Sequence, residues 1–145
     1  MPDQFPHLLF VCVENSCRSQ MAEAFARAAG AGRVVAHSAG SRPSGRVDPR
    51  AAAFMKERGI EMRGQTSKGL EELPAGVTWD FIVTMGCGDA CPHLPAKARR
   101  DWDLPDPKSM SDEEFRLIRD RIGRLVSEIL DLASRGEPDN WRPRD

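Results

Sequence analysis

The sequence predicts an α/β protein, a three-layer sandwich with a four-stranded parallel sheet flanked by helices. Three observations carry this expectation. Strand-like runs at Leu8–Val11, Arg33–Ser38 and Trp79–Met85 alternate with stretches of helical periodicity. The order strand, helix, strand over the first forty residues implies a right-handed parallel crossover. The last third carries one long apolar stripe, Phe115, Ile118, Ile122, Leu125, Ile129 and Leu132, and a sheet buried on both faces needs such a cover. With 145 residues, 40% of them hydrophobic, one core suffices. Residues 1–134 are therefore read as a single domain and residues 135–145 as a proline- and charge-rich tail, with Trp141 as its docking residue.

Taken in order, the apolar run ending at Cys12 is the first strand. Met21, Phe25 and Ala28 recur at helical spacing from about Arg18 to Ala29, and Gly30 and Gly32 mark the stop. A strand over Arg33–Ser38 and a turn-rich stretch, residues 39–45, follow. Asp48-Pro49 reads as an N-cap with proline in the first turn, opening a helix that Gly59 terminates. Residues 64–72 are expected to hold a short helix starting after Thr66 or Ser67. Trp79–Met85 is the third strand, and Arg99–Leu104 is expected to hold a short fourth one. Ser111 and Glu114 form a capping box at the head of the last helix.

A net charge of −1, from 21 basic and 22 acidic residues, creates no global field to recruit nucleic acid or an anionic membrane. No apolar run is long enough to span a bilayer, and the first residues lack the order of a signal peptide. A cytoplasmic monomer is expected. Four cysteines in such a chain point to catalysis or metal binding before structural disulfides.

Cys12 and Arg18 bracket a C-x5-R loop, Val13-Glu14-Asn15-Ser16-Cys17, between the carboxyl end of a strand and the start of a helix. Such a loop turns backbone N–H groups inward, and the helix dipole adds partial positive charge. It is suited to hold a tetrahedral oxyanion. Arg18 would add a bidentate donor and Ser19 a hydroxyl, with Cys12 beneath the anion as nucleophile. Because parallel strands exit at one edge, the loops after Cys12, before Cys87 and before Asp106 should share a rim. Cys87 and Cys91 sit on a loop ending at Pro92. Two free thiols, or a zinc site with His93, remain alternatives, although zinc would lack a fourth ligand and the usual C-x2-C spacing.

The stretch Cys12-Val13-Glu14-Asn15-Ser16-Cys17-Arg18-Ser19-Gln20-Met21-Ala22-Glu23 resembles the low-molecular-weight phosphatase superfamily, and within it the thioredoxin-coupled arsenate reductases. The resemblance implies that Cys12 attacks arsenate and Arg18 holds the oxyanion together with Val13, Glu14, Asn15, Ser16, Cys17 and Ser19. It further implies that Cys87 attacks Cys12, expelling arsenite, and that Cys91 resolves that disulfide. The Cys87–Cys91 disulfide would then be reduced by thioredoxin. Asp106 would protonate the departing oxygen, Asn15 would pin the loop, and Ser38 and Glu23 would support Asn15. No cofactor or metal is implied. Cys17 takes no electron-transfer role, and His7, His37 and His93 read as packing or surface residues.

The chain departs from the pattern at two positions. Glu14 stands where glycine is common and is expected to turn outward, away from a bound dianion. Lys68 stands where several such reductases carry an aspartate that helps bind potassium, and its ammonium is expected to replace that ion. The rival reading is a low-molecular-weight protein tyrosine phosphatase using Cys12, Arg18 and Asp106. Against it, the chain has no tyrosine to wall a substrate ring, and a phosphatase has no need of Cys87 and Cys91. A thiol-based arsenite or metal binder would leave Arg18 unexplained.

Overall fold

The structure, a computed structural model, describes residues 5–86 and 94–135. Four parallel strands, β1 (His7–Cys12), β2 (Val35–Gly40), β3 (Trp79–Thr84) and β4 (Ala96–Asp101), lie in the order β2-β1-β3-β4. The chain thus turns one way from β1 to β2 and the other way to β3 and β4. This reversal beside β1 is where open parallel sheets bind ligands. Cys12 pairs with Gly40, Val11 with Thr84, and Thr84 with Asp101, so all four strands end at one rim.

One sheet face is covered by α1 (Arg18–Gly30) and α3 (Asp112–Arg135), with α2 (Pro49–Lys56) packed at their side. Phe10, Met21, Phe54, Met55, Phe81, Phe115, Ile122 and Ile129 form its core. The second face carries a smaller cluster of Leu9, Val11, Ala39, Trp79 and Ile82. Among the described residues, the β2–β3 connection covers that face through Leu70, Leu73 and Val77, and its only regular piece there is a 3-10 turn at Leu70–Glu72. The short helix expected between residues 64 and 72 is this turn.

The predicted α1, α2 and α3 are present. Asp48 accepts a hydrogen bond from the Arg50 N–H at 2.8 Å, and Ser111 Oγ accepts from the Glu114 N–H at 3.2 Å, as capping residues should. Two strands differ from expectation. β2 starts at Val35, because the N–H groups of Arg33 and Val34 both close onto the Gly30 carbonyl, at 2.8 and 3.0 Å, and finish the helix. β4 runs from Ala96 to Asp101 rather than from Arg99 to Leu104. It is an edge strand of alanine and charge, with Lys97, Arg99 and Asp101 exposed, so it lacks the apolar signature of the inner strands.

Arg119, on the stripe side of α3, is only 2% exposed. It donates to the Phe54 carbonyl at 2.9 Å and Glu57 Oε1 at 2.7 Å from Nη1, and from Nε to Asp120 Oδ1 at 2.8 Å. Arg116 and Arg58 complete an ion network that joins the end of α2 to α3. A buried guanidinium is tolerated because its donors are matched.

Candidate active site

The loop between β1 and α1 is shaped by where its carbonyls go. Val13 O accepts from the Arg42 N–H at 2.8 Å, Asn15 O from Gln20 Nε2 at 3.0 Å, and Ser16 O from the Asp48 N–H at 2.9 Å. In planar trans peptides the N–H groups of the residues that follow, Glu14, Ser16 and Cys17, point the opposite way, into the concave side. Val13, Glu14, Ser16 and Cys17 line the resulting cleft of about 180 Å³ together with Cys12, Arg18 and Asp106. Asn15 is the loop residue left out of that lining, and it has the left-handed φ of 49° that such a reversal needs. Its buried side chain holds the loop from behind. Oδ1 accepts from the Lys68 N–H at 2.8 Å and from Gln20 Nε2 at 2.9 Å, while Nδ2 donates to Ser19 Oγ at 2.8 Å.

Ser19 Oγ also lies 2.8 Å from Cys12 Sγ. With one lone pair taken by Asn15, the hydroxyl is placed to give its proton to a Cys12 thiolate. α1 begins directly at Arg18 with Cys17 as its N-cap, and no side chain caps it, so the positive end of the helix is turned to the cleft without a capping side chain in between. The Arg18 side chain donates from Nη1 to the Leu104 carbonyl at 2.7 Å, which ties it to the loop carrying Asp106. Asp106 Oδ1 accepts from the Lys108 N–H at 3.1 Å, capping a 3-10 turn at Pro107–Ser109. The Cys17 thiol is buried, and burial pushes its pKa well above the ordinary range, reinforced by Asp48, Asp106 and Cys12. It is held as a neutral, loop-filling thiol.

The structure therefore brings together Cys12, Val13, Glu14, Ser16, Cys17, Arg18 and Asp106, with Asn15 and Ser19 supporting them. Cys87, Cys91 and His93 lie outside the described residues, as does the tail with Trp141. The described chain before Cys87 ends at Gly86, whose φ is 74° and where an added Cβ would stand 3.3 Å from Arg18 Nη1. Glu14 turns to Lys108 and ion-pairs with it across the cleft mouth. Ser38 and Glu23 do not touch Asn15 directly. Ser38 Oγ donates to the buried Glu23 Oε1 at 2.5 Å, and Lys68 Nζ stands 3.9 Å from that oxygen, so the link to Asn15 runs through Lys68. His7 and His37 stack at 5.7 Å beside Trp79, away from the cleft.

Three supporting residues carried no signal in the loop motif. Gly40 is one: a Cβ there would meet Val13 O at 2.5 Å and Asn15 N at 2.9 Å, so only glycine lets β2 pass the loop this closely. The small run Ser38-Ala39-Gly40 was the available hint. Gln20 is another, since one amide reaches both Asn15 oxygens and the Thr66 carbonyl at 2.9 Å. Arg50 is the third. Its guanidinium donates to the Met110 carbonyl at 2.7 Å, Asp112 Oδ1 at 2.8 Å and the Lys108 carbonyl at 3.3 Å, clamping the segment after Asp106.

A cysteine sulfur at the floor of a backbone N–H nest, with an arginine and a carboxylate at the same mouth, defines a thiol-dependent oxyanion site on a parallel α/β sheet. Residues 7–136 match the family described as low molecular weight phosphotyrosine protein phosphatase, and the chain belongs to that family. Its relatives include a protein named glutaredoxin arsenate reductase from a Synechocystis species, 40% identical over 126 residues, which are 85% of this chain and 95% of that one. A solved structure described as an arsenate reductase in the phosphate binding state superposes with a TM-score of 0.80 at 38% identity, covering 90% of this chain and 100% of the other. The thioredoxin-dependent arsenate reductase of Corynebacterium glutamicum superposes with a TM-score of 0.75 at 30% identity, covering 91% of this chain and 63% of that one.

Proposed function

We propose that this protein reduces arsenate to arsenite through a three-cysteine relay regenerated by thioredoxin. The observation that carries the reading is the position of Cys12 Sγ beneath the loop, 2.8 Å from the Ser19 hydroxyl, in one cleft with Arg18 and Asp106. Relatives named arsenate reductases, matched over nearly their whole length, support the substrate.

The chemistry follows from the residues. The Cys12 thiolate attacks arsenic(V), and Asp106 gives a proton to the oxygen that leaves as water. Arg18 and the loop N–H groups hold the remaining oxygens as charge shifts among them. The Cys87 thiolate then attacks Cys12 Sγ. The arsenic–sulfur bond breaks with its electron pair left on arsenic, so arsenite departs as arsenic(III) and a Cys12–Cys87 disulfide forms. Cys91 attacks Cys87, releasing the Cys12 thiolate and leaving a Cys87–Cys91 disulfide for thioredoxin to reduce. Two electrons are consumed and two thiols are oxidised per turnover. Gly86, the residue before Cys87, lies against Arg18, which supports the part given to Cys87.

The experiment is arsenate turnover with purified thioredoxin and thioredoxin reductase, comparing wild type with Cys91→Ser. Many turnovers for the wild type and a single arsenite released per Cys91→Ser molecule are expected. Multiple turnover by Cys91→Ser would overturn the relay. Turnover with a glutaredoxin and glutathione but not with thioredoxin would overturn the donor, an arm made necessary by the glutaredoxin-named relative. The family match favours one second reading, phosphate-ester hydrolysis through a phosphocysteine on Cys12, as a weak side reaction.

A further inference from the structure

We propose that the Glu14–Lys108 ion pair is a specificity determinant, a strap across the cleft mouth that admits a bare tetrahedral oxyanion and disfavours its esters. This deepens the reading of the site as one for inorganic arsenate, and rests on it.

Glu14 belongs to the anion loop and lines the cleft, whereas Lys108 belongs to the turn that carries Asp106. Their ion pair therefore joins the two sides of the opening. Both ends are held by their own backbones. The Glu14 carbonyl accepts from the Ser44 N–H and from Ser67 Oγ, each at 3.0 Å. The Lys108 carbonyl accepts from Arg50 Nη1 at 3.3 Å, and the Lys108 N–H holds Asp106 Oδ1 at 3.1 Å. A strap anchored in this way does not swing aside without loss of its charge pairing.

The consequence depends on what the ligand carries. An inorganic oxyanion seated in the nest directs its outermost oxygen toward Asp106 and ends there. A monoester carries its organic group on that same oxygen, and the group must leave through the mouth and separate Glu14 from Lys108. None of the described lining residues is aromatic, so a ring would gain no stacking partner from them in exchange. Lys108 also neutralises Glu14, which otherwise sets a carboxylate beside an incoming dianion. The side chains are 49% and 37% exposed, and pairs of that kind shift an equilibrium by about twofold to fivefold. The strap is a modest filter laid over the site's deeper recognition of the anion.

The test is titration calorimetry of the full chain with inorganic phosphate and with benzylphosphonate, on wild type, Glu14→Gln, Lys108→Gln and the double variant. For a strap, the ratio of the benzylphosphonate to the phosphate dissociation constant falls about twofold to fivefold in each single variant, and no further in the double. An unchanged ratio in the single variants overturns the proposal. So does the pattern expected of bare charge, with phosphate bound tighter by Glu14→Gln and more weakly by Lys108→Gln at constant ratio. Wild type that fails to bind phosphate removes the anion site and the strap together. Wild type that binds phosphate without reducing arsenate removes the reductase reading alone, and the ratio still decides the strap.

Discussion

Ser19 Oγ stands 2.8 Å from Cys12 Sγ and at the same distance from Asn15 Nδ2, so one hydroxyl couples the proposed nucleophile to the residue that shapes the loop. A hydrogen bond to a charged group is worth about 1.5–3 kcal/mol. Ser19→Ala should therefore lower the single-turnover rate of arsenite formation roughly tenfold or more, and slow iodoacetamide alkylation of Cys12 in parallel. Unchanged alkylation would show that the hydroxyl does not serve the sulfur.

Asp106 is exposed, and its carboxylate is aimed by the Lys108 N–H. As the proton donor it should account for about a 10²–10⁴-fold factor. Asp106→Asn is expected to lower kcat by that order while leaving phosphate binding, read by calorimetry, within a few-fold of wild type. A loss confined to KM would assign the residue to binding instead.

Gly40→Ala places a methyl group 2.5 Å from Val13 O, a backbone atom that cannot step aside cheaply. The expected result is a lower Tm together with loss of the Tm increase that phosphate gives the wild type. Gly45→Ala, at a site with φ of 81° and nothing near the added carbon, is the comparison: it strains the backbone but should spare phosphate stabilisation.

The His37 pKa is depressed to about 4 from its ordinary value of 6.5, first by burial and then by the neighbouring charges of His7, Arg27 and Lys68. Folding therefore favours the neutral ring. Its contribution is present above about pH 6.5 and is lost as pH falls from there toward 4. Tm measured across that window should drop for the wild type and less steeply for His37→Gln. Equal slopes would assign the effect elsewhere.

Glu57 and Asp120 respond at lower pH. Hydrogen bonds from Arg116 and Arg119 hold the Glu57 carboxyl near 2, and Arg58 holds Asp120 near 2. Their stabilisation is complete above the ordinary carboxylate range, near 4.5 and 3.8, and disappears as pH falls toward 2. Glu57→Gln should flatten the Tm profile in that lower window and leave the window of His37 untouched. Both windows flattening together would contradict the separate assignments.

Much of this was legible in the sequence, for identifiable reasons. β1, β3 and the three helices announce themselves through long periodic patterns and caps such as Asp48 and Ser111, and the C-x5-R loop through its place between strand and helix. β4 was misplaced because an edge strand written Ala96-Lys97-Ala98-Arg99-Arg100-Asp101 meets solvent on its outer side and needs no apolar run. β2 was set two residues early because Arg33 and Val34, though strand-like, are used to close α1. Gly40, Arg50 and Gln20 carry no local signal because each has a partner far along the chain, Val13 for Gly40, Met110 for Arg50 and Thr66 for Gln20, and no local pattern encodes such a contact. Arg119 was hidden by its own charge, which is buried only because the Phe54 carbonyl and two carboxylates wait for it.

The grip of Leu104 on Arg18 has one more outcome. With Nη1 already fastened to that carbonyl, the guanidinium meets an arriving anion in a frozen pose, and the rotamer freedom that a long side chain forfeits on docking, up to about 2 kcal/mol, is surrendered during folding instead. Affinity for the anion is then partly a property of the link after β4, so a backbone shift at Leu104 that touches no ligand atom would be felt as weaker capture.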